Sequence, residues 1–384
     1  MTRKGVWDLQ QVRDKYLQSL WANDTQLWSM GYGGQGGLAQ NNRAYYSSPV
    51  QIPGTSWTDT NGKTTFYNDG GFGNIKTDGT LWMWGKNDKG QLGQNSAGDD
   101  RSSPVQVGSE TTWAEVTSGN NCTFATKTDG TAWVWGNNYY GKLGINSGTY
   151  RSSPTQIPGT NWSRIYPTRY SGRGIKTDGT LWSWGHNNDG QLGQNDRIKY
   201  SSPVQIPGTT WVDFTGDEDT IATKTDGTLW TWGKNSGGQL GQNNTTKYSS
   251  PVQVPGTTWT SEGAVMGLNS NRAAAIKTDG TLWMWGRNDE GDLGQSGPTY
   301  VHYSSPIQIP GTTWSKISMC GGKYFAIKTD GTLWSWGQNP SGQLGHNNTA
   351  QYSSPTQVPG AWSSVTANAY NMIGTKTSLT PSQL

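Results

Sequence analysis

Charge is scarce in this chain of 384 residues: Asp, Glu, Lys and Arg make up 14 %, and the formal net charge is +3. Binding of nucleic acid through its phosphates calls for a clustered basic face, so no nucleic acid is expected as a partner. Cysteine is nearly absent. Cys122 and Cys320 make no disulfide framework and no Cys-x-x-Cys pair, and both are expected to be free and buried. The only histidines, His186, His302 and His346, show no metal-ligand spacing, so neither metal nor cofactor is expected. Apolar runs all fall short of the roughly 18 residues of a membrane span, which argues against membrane insertion. The opening "MTRKGVWDLQQVRDKYLQSLW" lacks the apolar core of a signal peptide. Synthesis in a cytosol without secretory export is expected.

What fills the chain instead is Gly, with 54 copies, and Trp, with 22. So many aromatics argue against disorder. The phrase "TLWSWGHNNDGQLGQN", Thr180 to Asn195, recurs with small changes, and its first Trp falls at Trp28, Trp82, Trp133, Trp182, Trp230, Trp283 and Trp334. A step of about fifty residues signals a propeller or a solenoid. Each unit reads as four short strands: one opened by Trp, one running into "TDG", the "LW.WG" strand, and "SSP.Q". Asp-Gly in the turn is a strong hairpin signal. The two Trp of "LW.WG" share one strand face, where neighbouring sheets can bury it.

The first copy starts at "TQLWSMG" without a strand pair before it, and the last, "WSSVTANAYNMIGTKT" from Trp362, supplies such a pair. Joined in one blade, the two fragments close a ring and remove two exposed edges. The expected fold is all-β: a seven-bladed β-propeller of four-stranded blades at residues 23–384, preceded by an N-terminal docking arm at residues 1–22.

The "WG.N" then Gly-Gln-Leu-Gly signature, with its downstream Pro and period near fifty, resembles the regulator of chromosome condensation repeat over about Thr25 to Thr377. The resemblance implies a seven-bladed propeller. The family's founder promotes nucleotide exchange on a small GTPase and sits on chromatin. No segment here matches the loops for that activity, and the family's "G..H" before the second strand is replaced by "SGNNCTF", "MCGGKYF" and "TANAYNM". Exchange activity is therefore not carried over. The arm, with its "GVW.L..V" opening, is similar to the leading arms of phage virion proteins.

Twenty of the 22 tryptophans occupy repeated positions and read as blade packing. The Asp of "TDG" reads as turn chemistry, and the Gln of "GQLG" as a bridge to backbone. Its glycines make no phosphate cradle, because a strand and not a helix follows. "GDEDT", Gly216 to Thr220, reads as a solvated acidic loop, and no catalytic residue is assigned.

Between the opening Trp and "KTDG" the copies differ most, and these segments should share one rim. The longest, around Phe66–Phe72 and Met266–Arg272, should project furthest. Their candidate binding residues are Tyr67, Phe72, Tyr166, Arg169, Tyr170, Arg173, Asp217, Glu218, Asn271, Arg272, Lys323, Tyr324, Tyr370 and Asn371. Tyr and Arg are favoured interface anchors; relaxed constraint is the other reading of the variability. The loop between "LG" and "SSP" is more polar and reads as plain surface. In the arm, Val6, Leu9, Val12, Tyr16 and Leu20 follow helical spacing, with Trp7 beside them. Such a helix docks either on the propeller's own rim or on another protein.

These features lead to the expectation of a non-enzymatic recognition protein in a phage particle: a tail fibre, tail tip or capsid-surface component. It would join virion or scaffold proteins through the arm and a host-surface protein or glycan through the rim. Two alternatives stand beside it, a cytoplasmic cellular regulator binding a GTPase or chromatin, and a carbohydrate-active propeller enzyme.

Overall fold

One relay of hydrogen bonds fixes the hairpin in six of the units. Asp178 Oδ1 accepts the Thr180 N–H at 2.9 Å and the Thr180 hydroxyl at 2.6 Å, and Thr180 Oγ1 accepts the Trp182 indole N–H at 2.9 Å. The same carboxylate–hydroxyl–indole relay forms at Asp78, Asp129, Asp226, Asp279 and Asp330. In all six the Thr hydroxyl holds the carboxyl below the usual carboxylate range. The following glycine, Gly179 here, takes a φ of 75°, which a side chain resists.

The computed structural model describes residues 28–31, 35–44, 46–58, 71–267, 271–289, 291, 293–295, 301–339, 344–367 and 372–376. Four strands, Trp162–Pro167, Ser171–Lys176, Leu181–Gly185 and Tyr200–Gln205, pair antiparallel in chain order. Residues 113–156, 211–253 and 259–308 repeat this plan. The sheet at residues 71–106 has three strands, and the isolated bridge Trp57↔Lys76 stands where its first would be. The sheet opening at Trp314 ends in a long strand, Tyr352–Ala367, which runs on into a hairpin with Met372–Lys376. A two-stranded sheet, Trp28–Gly31 with Tyr46–Gln51, precedes them all.

Successive sheets touch mainly through their first and second strands. Those strands therefore converge inward, and the half-exposed fourth strands lie outside. The fold is an all-β propeller. Charge also links its inner strands: Arg164 Nη1 lies 2.5 Å from Asp213 Oδ1 of the next sheet.

Indole packing is the core of each blade. Trp162 meets Trp182 and Trp184 edge-on at 6.2 and 6.0 Å. Lys176 Nζ covers Trp162 and Trp182 at 4.9 and 4.6 Å, a cation–π contact that five other sheets repeat with Lys76, Lys127, Lys224, Lys277 and Lys328.

The Gly-Gln-Leu-Gly phrase ties one sheet to the next. Asn187 Oδ1 accepts the Leu192 N–H at 3.0 Å and so shapes the loop. The carbonyl of Gln191 then accepts the indole N–H of Trp232 from the following sheet at 3.0 Å. The same stitch joins Gln91 to Trp135, Lys142 to Trp184 and Gln239 to Trp285 at 2.7–2.8 Å. The last glycine of the phrase is required: a Cβ on Gly193, at φ 70°, would lie 2.9 Å from Trp232 Nε1.

Candidate docking surface

First and third strands of a blade run the same way. The connection between strands one and two and the loop between strands three and four therefore emerge on one face. The loop that reads in sequence as plain surface thus shares a face with the rim segments, and it helps to build an open concavity there.

The difference starts at one residue. In three copies the Gln of the phrase folds back on its own loop: Gln91 Oε1 accepts the Lys89 N–H at 2.8 Å, Gln191 Oε1 that of Asp189 at 3.0 Å, and Gln239 Oε1 that of Gly237 at 2.9 Å. Lys142 replaces Gln in "NNYYGKLG", and an ammonium has no acceptor. Its buried Nζ donates instead to Asn120 O at 2.6 Å and Arg169 O at 3.4 Å. Residues Tyr139–Gly141 close into a 3-10 turn. Tyr140 takes a φ of 61°, an uncommon setting for a bulky side chain.

The result is a surface cluster of tyrosines. Tyr139, Tyr140 and Tyr150 are 58, 39 and 40 % exposed. The Tyr140 ring lies 5.4 Å from Tyr139, 5.6 Å from Tyr170 and 4.7 Å from His186. Lys199 Nζ sits 4.6 Å above Tyr140, and the Arg169 guanidinium 4.9 Å above Tyr170. Tyr139, Tyr140, Tyr150 and Lys199 line an open concavity of about 680 Å³, within the size range of ligand sites. Burial, with Lys199 adding to it, lowers the His186 imidazole below its ordinary value. Beneath the turn, Cys122 is buried, and burial pushes its thiol up.

The residues proposed from sequence separate into three groups. Arg169, exposed, and Tyr170, half-buried, belong to this cluster. Tyr67, Tyr370, Asn371 and the arm residues Val6, Trp7, Leu9, Val12, Tyr16 and Leu20 lie outside the described residues.

The remainder is packed. Arg173 and Tyr324 are fully buried, and Asp217, Arg272 and Lys323 nearly so. Tyr324 stacks on Trp336 at 5.4 Å, Tyr166 meets Phe214 edge-on at 6.4 Å, and Phe72 packs beside Trp84. Asn271 Oδ1 accepts from Gln239 Nε2 at 3.3 Å. The physical reason is that the connections are tight turns, so the second strand starts early, at Ser171, Asp219 or Lys323. Its first residues face neighbouring sheets.

"GDEDT" is not a solvated loop either. Arg173 donates to the carbonyls of Gly216 and Asp217 at 3.1 Å, and Asp217 Oδ1 accepts the Arg169 N–H at 3.0 Å. Asp219 Oδ2 accepts from Gln239 Nε2 at 3.1 Å, and Glu218 pairs with Lys234 at 2.5 Å. Burial pushes the Asp219 carboxyl up to about 6 and raises Asp217 too.

Tyr139, Tyr140, Tyr150, His186 and Lys199 were not singled out by the sequence reading. The available signal was the departure from "GQLG" at Lys142, preceded by two adjacent tyrosines where five other copies carry no aromatic residue: Asp88-Lys89, Asn188-Asp189, Ser236-Gly237, Asp289-Glu290 and Pro340-Ser341.

The fold with its packed tryptophan interior is that of the repeat β-propellers. The chain belongs to the Regulator of chromosome condensation (RCC1) repeat family, whose model matches residues 78–126, 129–165, 178–215, 226–261, 279–327 and 330–367. Protein RCC2 homolog of Danio rerio is 36 % identical over 74 residues, 19 % of this chain and 15 % of that protein. Protein RCC2 of Homo sapiens is 35 % identical over 98 residues, 24 % of this chain and 18 % of that protein. The chain thus matches less than a fifth of the length of these relatives. Among solved structures, Prp20p of Saccharomyces cerevisiae, described with its binding to Gsp1p and histones, is similar with a TM-score of 0.75 at 16 % identity, covering 94 % of this chain and 93 % of that one.

These likenesses correct the expectation of a phage virion component. The relatives are proteins of animals and yeast, and the likeness runs through the blades themselves. The proposed virion neighbours, host-surface protein or glycan partners and virion location fall with it. The resemblance of the arm rests on a few residues against six matched repeats.

Proposed function

We propose that this protein is a non-enzymatic cellular regulator that binds a partner protein through the face bearing Tyr139, Tyr140, Tyr150 and Tyr170. One observation carries the reading. Among the described residues the exposed aromatic side chains are Tyr139, Tyr140 and Tyr150, and two of them stand just before Lys142, where the loop departs from the Gln clamp. Aromatic residues that a rigid scaffold holds at the surface serve as binding anchors. The likeness to Prp20p, described with its binding to Gsp1p and histones, favours a protein partner of that kind, a GTPase or a chromatin protein.

The scaffold on this reading is a seven-bladed ring. Its seventh blade joins Trp362–Ala367 and Met372–Lys376 to Trp28–Gly31 and Tyr46–Gln51. Register supports this: Trp362↔Lys376 repeats Trp162↔Lys176, and Trp28↔Gln51 repeats Trp182↔Gln205.

The test is affinity capture from an extract of the source cell. The unaltered chain should retain a partner that the variant Tyr139→Ala/Tyr140→Ala loses, with an unchanged melting temperature. Equal capture by both proteins would reject this face.

A further inference from the structure

We infer that the concavity between Tyr140, Tyr150 and Lys199 receives an acidic peptide segment of the partner, an inference that rests on the docking-face reading. The argument starts from where the charges on this face are neutralised. Carboxylates nearby are already engaged: Asp189 with Lys247 and Glu218 with Lys234, each at 2.5 Å. Around the tyrosines stand four other cations, Lys89, Arg151, Arg169 and Lys199. None of them forms an ion pair among the described residues. Three rest on aromatic faces: Lys199 on Tyr140 at 4.6 Å, Arg169 on Tyr170 at 4.9 Å and Lys89 on Tyr150 at 5.5 Å. Arg151 Nη1 donates to Thr149 Oγ1 at 2.6 Å and Tyr150 O at 3.2 Å.

A cation–π contact orients a cation without neutralising it. Lys199 lines the concavity of about 680 Å³, Lys89 and Arg151 stand against its wall residue Tyr150, and Arg169 lies further out on Tyr170. Exposed phenol hydroxyls on Tyr139, Tyr140 and Tyr150 add further donors. Donors and positive charge on rigid rings are what carboxylates of a short extended segment require. A nucleic acid fits less well. The loop that carries Lys199 also carries Asp189 and Asp196, so a long polyanion leaving the concavity runs into carboxylates, while a segment with a few acidic side chains does not.

The experiment titrates the full chain with a short fluorescein-labelled Glu/Asp peptide, read by anisotropy, beside a Lys peptide and an oligothymidylate of equal length. The acidic peptide should bind, and added salt should weaken it. Lys199→Glu/Arg169→Glu should weaken it about tenfold or more. Arg43→Glu/Arg287→Glu, the same charge change elsewhere, should leave it nearly unchanged. No binding of the acidic peptide, equal loss in both pairs, or tighter oligothymidylate binding would overturn the inference.

Partner capture separates the two readings. If Tyr139→Ala/Tyr140→Ala loses the partner and Lys199→Glu/Arg169→Glu keeps it, the docking face stands and the acidic segment is rejected. If neither pair matters, the docking face itself is rejected.

Discussion

Lys142 Nζ lies 2.6 Å from the carbonyl oxygen of Asn120, inside the protein. Through a longer contact, 3.4 Å, it also reaches Arg169 O in the next sheet. One buried ammonium thus bridges two tight turns, where three other copies use a Gln to clamp a single loop. Tyr139 and Tyr140 of the cluster stand in the 3-10 turn just before that exchange.

Lys142→Gln should therefore restore the clamp, with the Gln side-chain oxygen accepting the N–H of Tyr140. The 3-10 turn would open, and the ring contact between Tyr140 and His186 would be lost. Stability should stay level or rise by about 1 kcal/mol, because a buried charge disappears. Hydrogen exchange at the Tyr140 amide should slow, and the near-ultraviolet circular dichroism of the tyrosines should change. If neither moves, Lys142 does not shape this loop.

Trp184 carries the stitch to Lys142 O at 2.7 Å and is fully buried. Trp184→Phe leaves that carbonyl without its donor and a gap against Phe124, which stacks on the indole at 6.1 Å. The expected cost is about 2–4 kcal/mol in urea unfolding. Trp182→Phe is the comparison. That ring is half-buried, and its partner Thr180 keeps the bond to Asp178, so its cost should be smaller. Equal costs would show that the indole hydrogen bond between sheets contributes little.

The tryptophan periodicity and the Asp-Gly turns made the blades readable from sequence, because the turn Asp and the first Trp of each pair act on neighbours within their own hairpin. The docking face was less readable. Arg173 and Tyr324 look like loop residues until the turn before them is known to be only a few residues long. Whether a residue two places from a turn faces water or the next sheet depends on packing between sheets, which no local pattern records. Tyr140 was hidden for a related reason: it sits two residues before Lys142, whose bonds reach Asn120 and Arg169, both distant in the sequence.

Two sets of carboxylates give stability an opposing dependence on pH. Asp219 has a folded pKa raised to about 6 by burial, with Asp217 raised in the same direction. Between about pH 4, where an unfolded Asp releases its proton, and pH 6 the folded chain holds a proton that the unfolded chain does not. Stability therefore falls as pH rises through that window. The six turn aspartates are lowered, so their contribution is present above about pH 4 and is lost as pH falls below it. Asp219→Asn should flatten the slope between pH 4 and 6 and raise stability at pH 7 by about 1–3 kcal/mol. An unchanged slope in urea titrations at several pH values would show that Asp219 is ionised in the folded chain.

The proposed closure makes the sharpest demand on the scaffold. Two strands alone are marginal in water, and the sheet of Trp28–Gly31 with Tyr46–Gln51 has only two. If Met372–Lys376 pairs beside Trp28–Gly31, removing residues 362–384 strips half a blade and leaves two edges open. The thermal midpoint should then fall by about 10 °C or more, since several kcal/mol of packing and pairing are lost. A synthetic peptide of residues 362–384, added in excess, should restore most of the loss by mass action. An open propeller without this seam behaves differently: the truncated chain melts within a degree or two of the full one, and the peptide changes nothing.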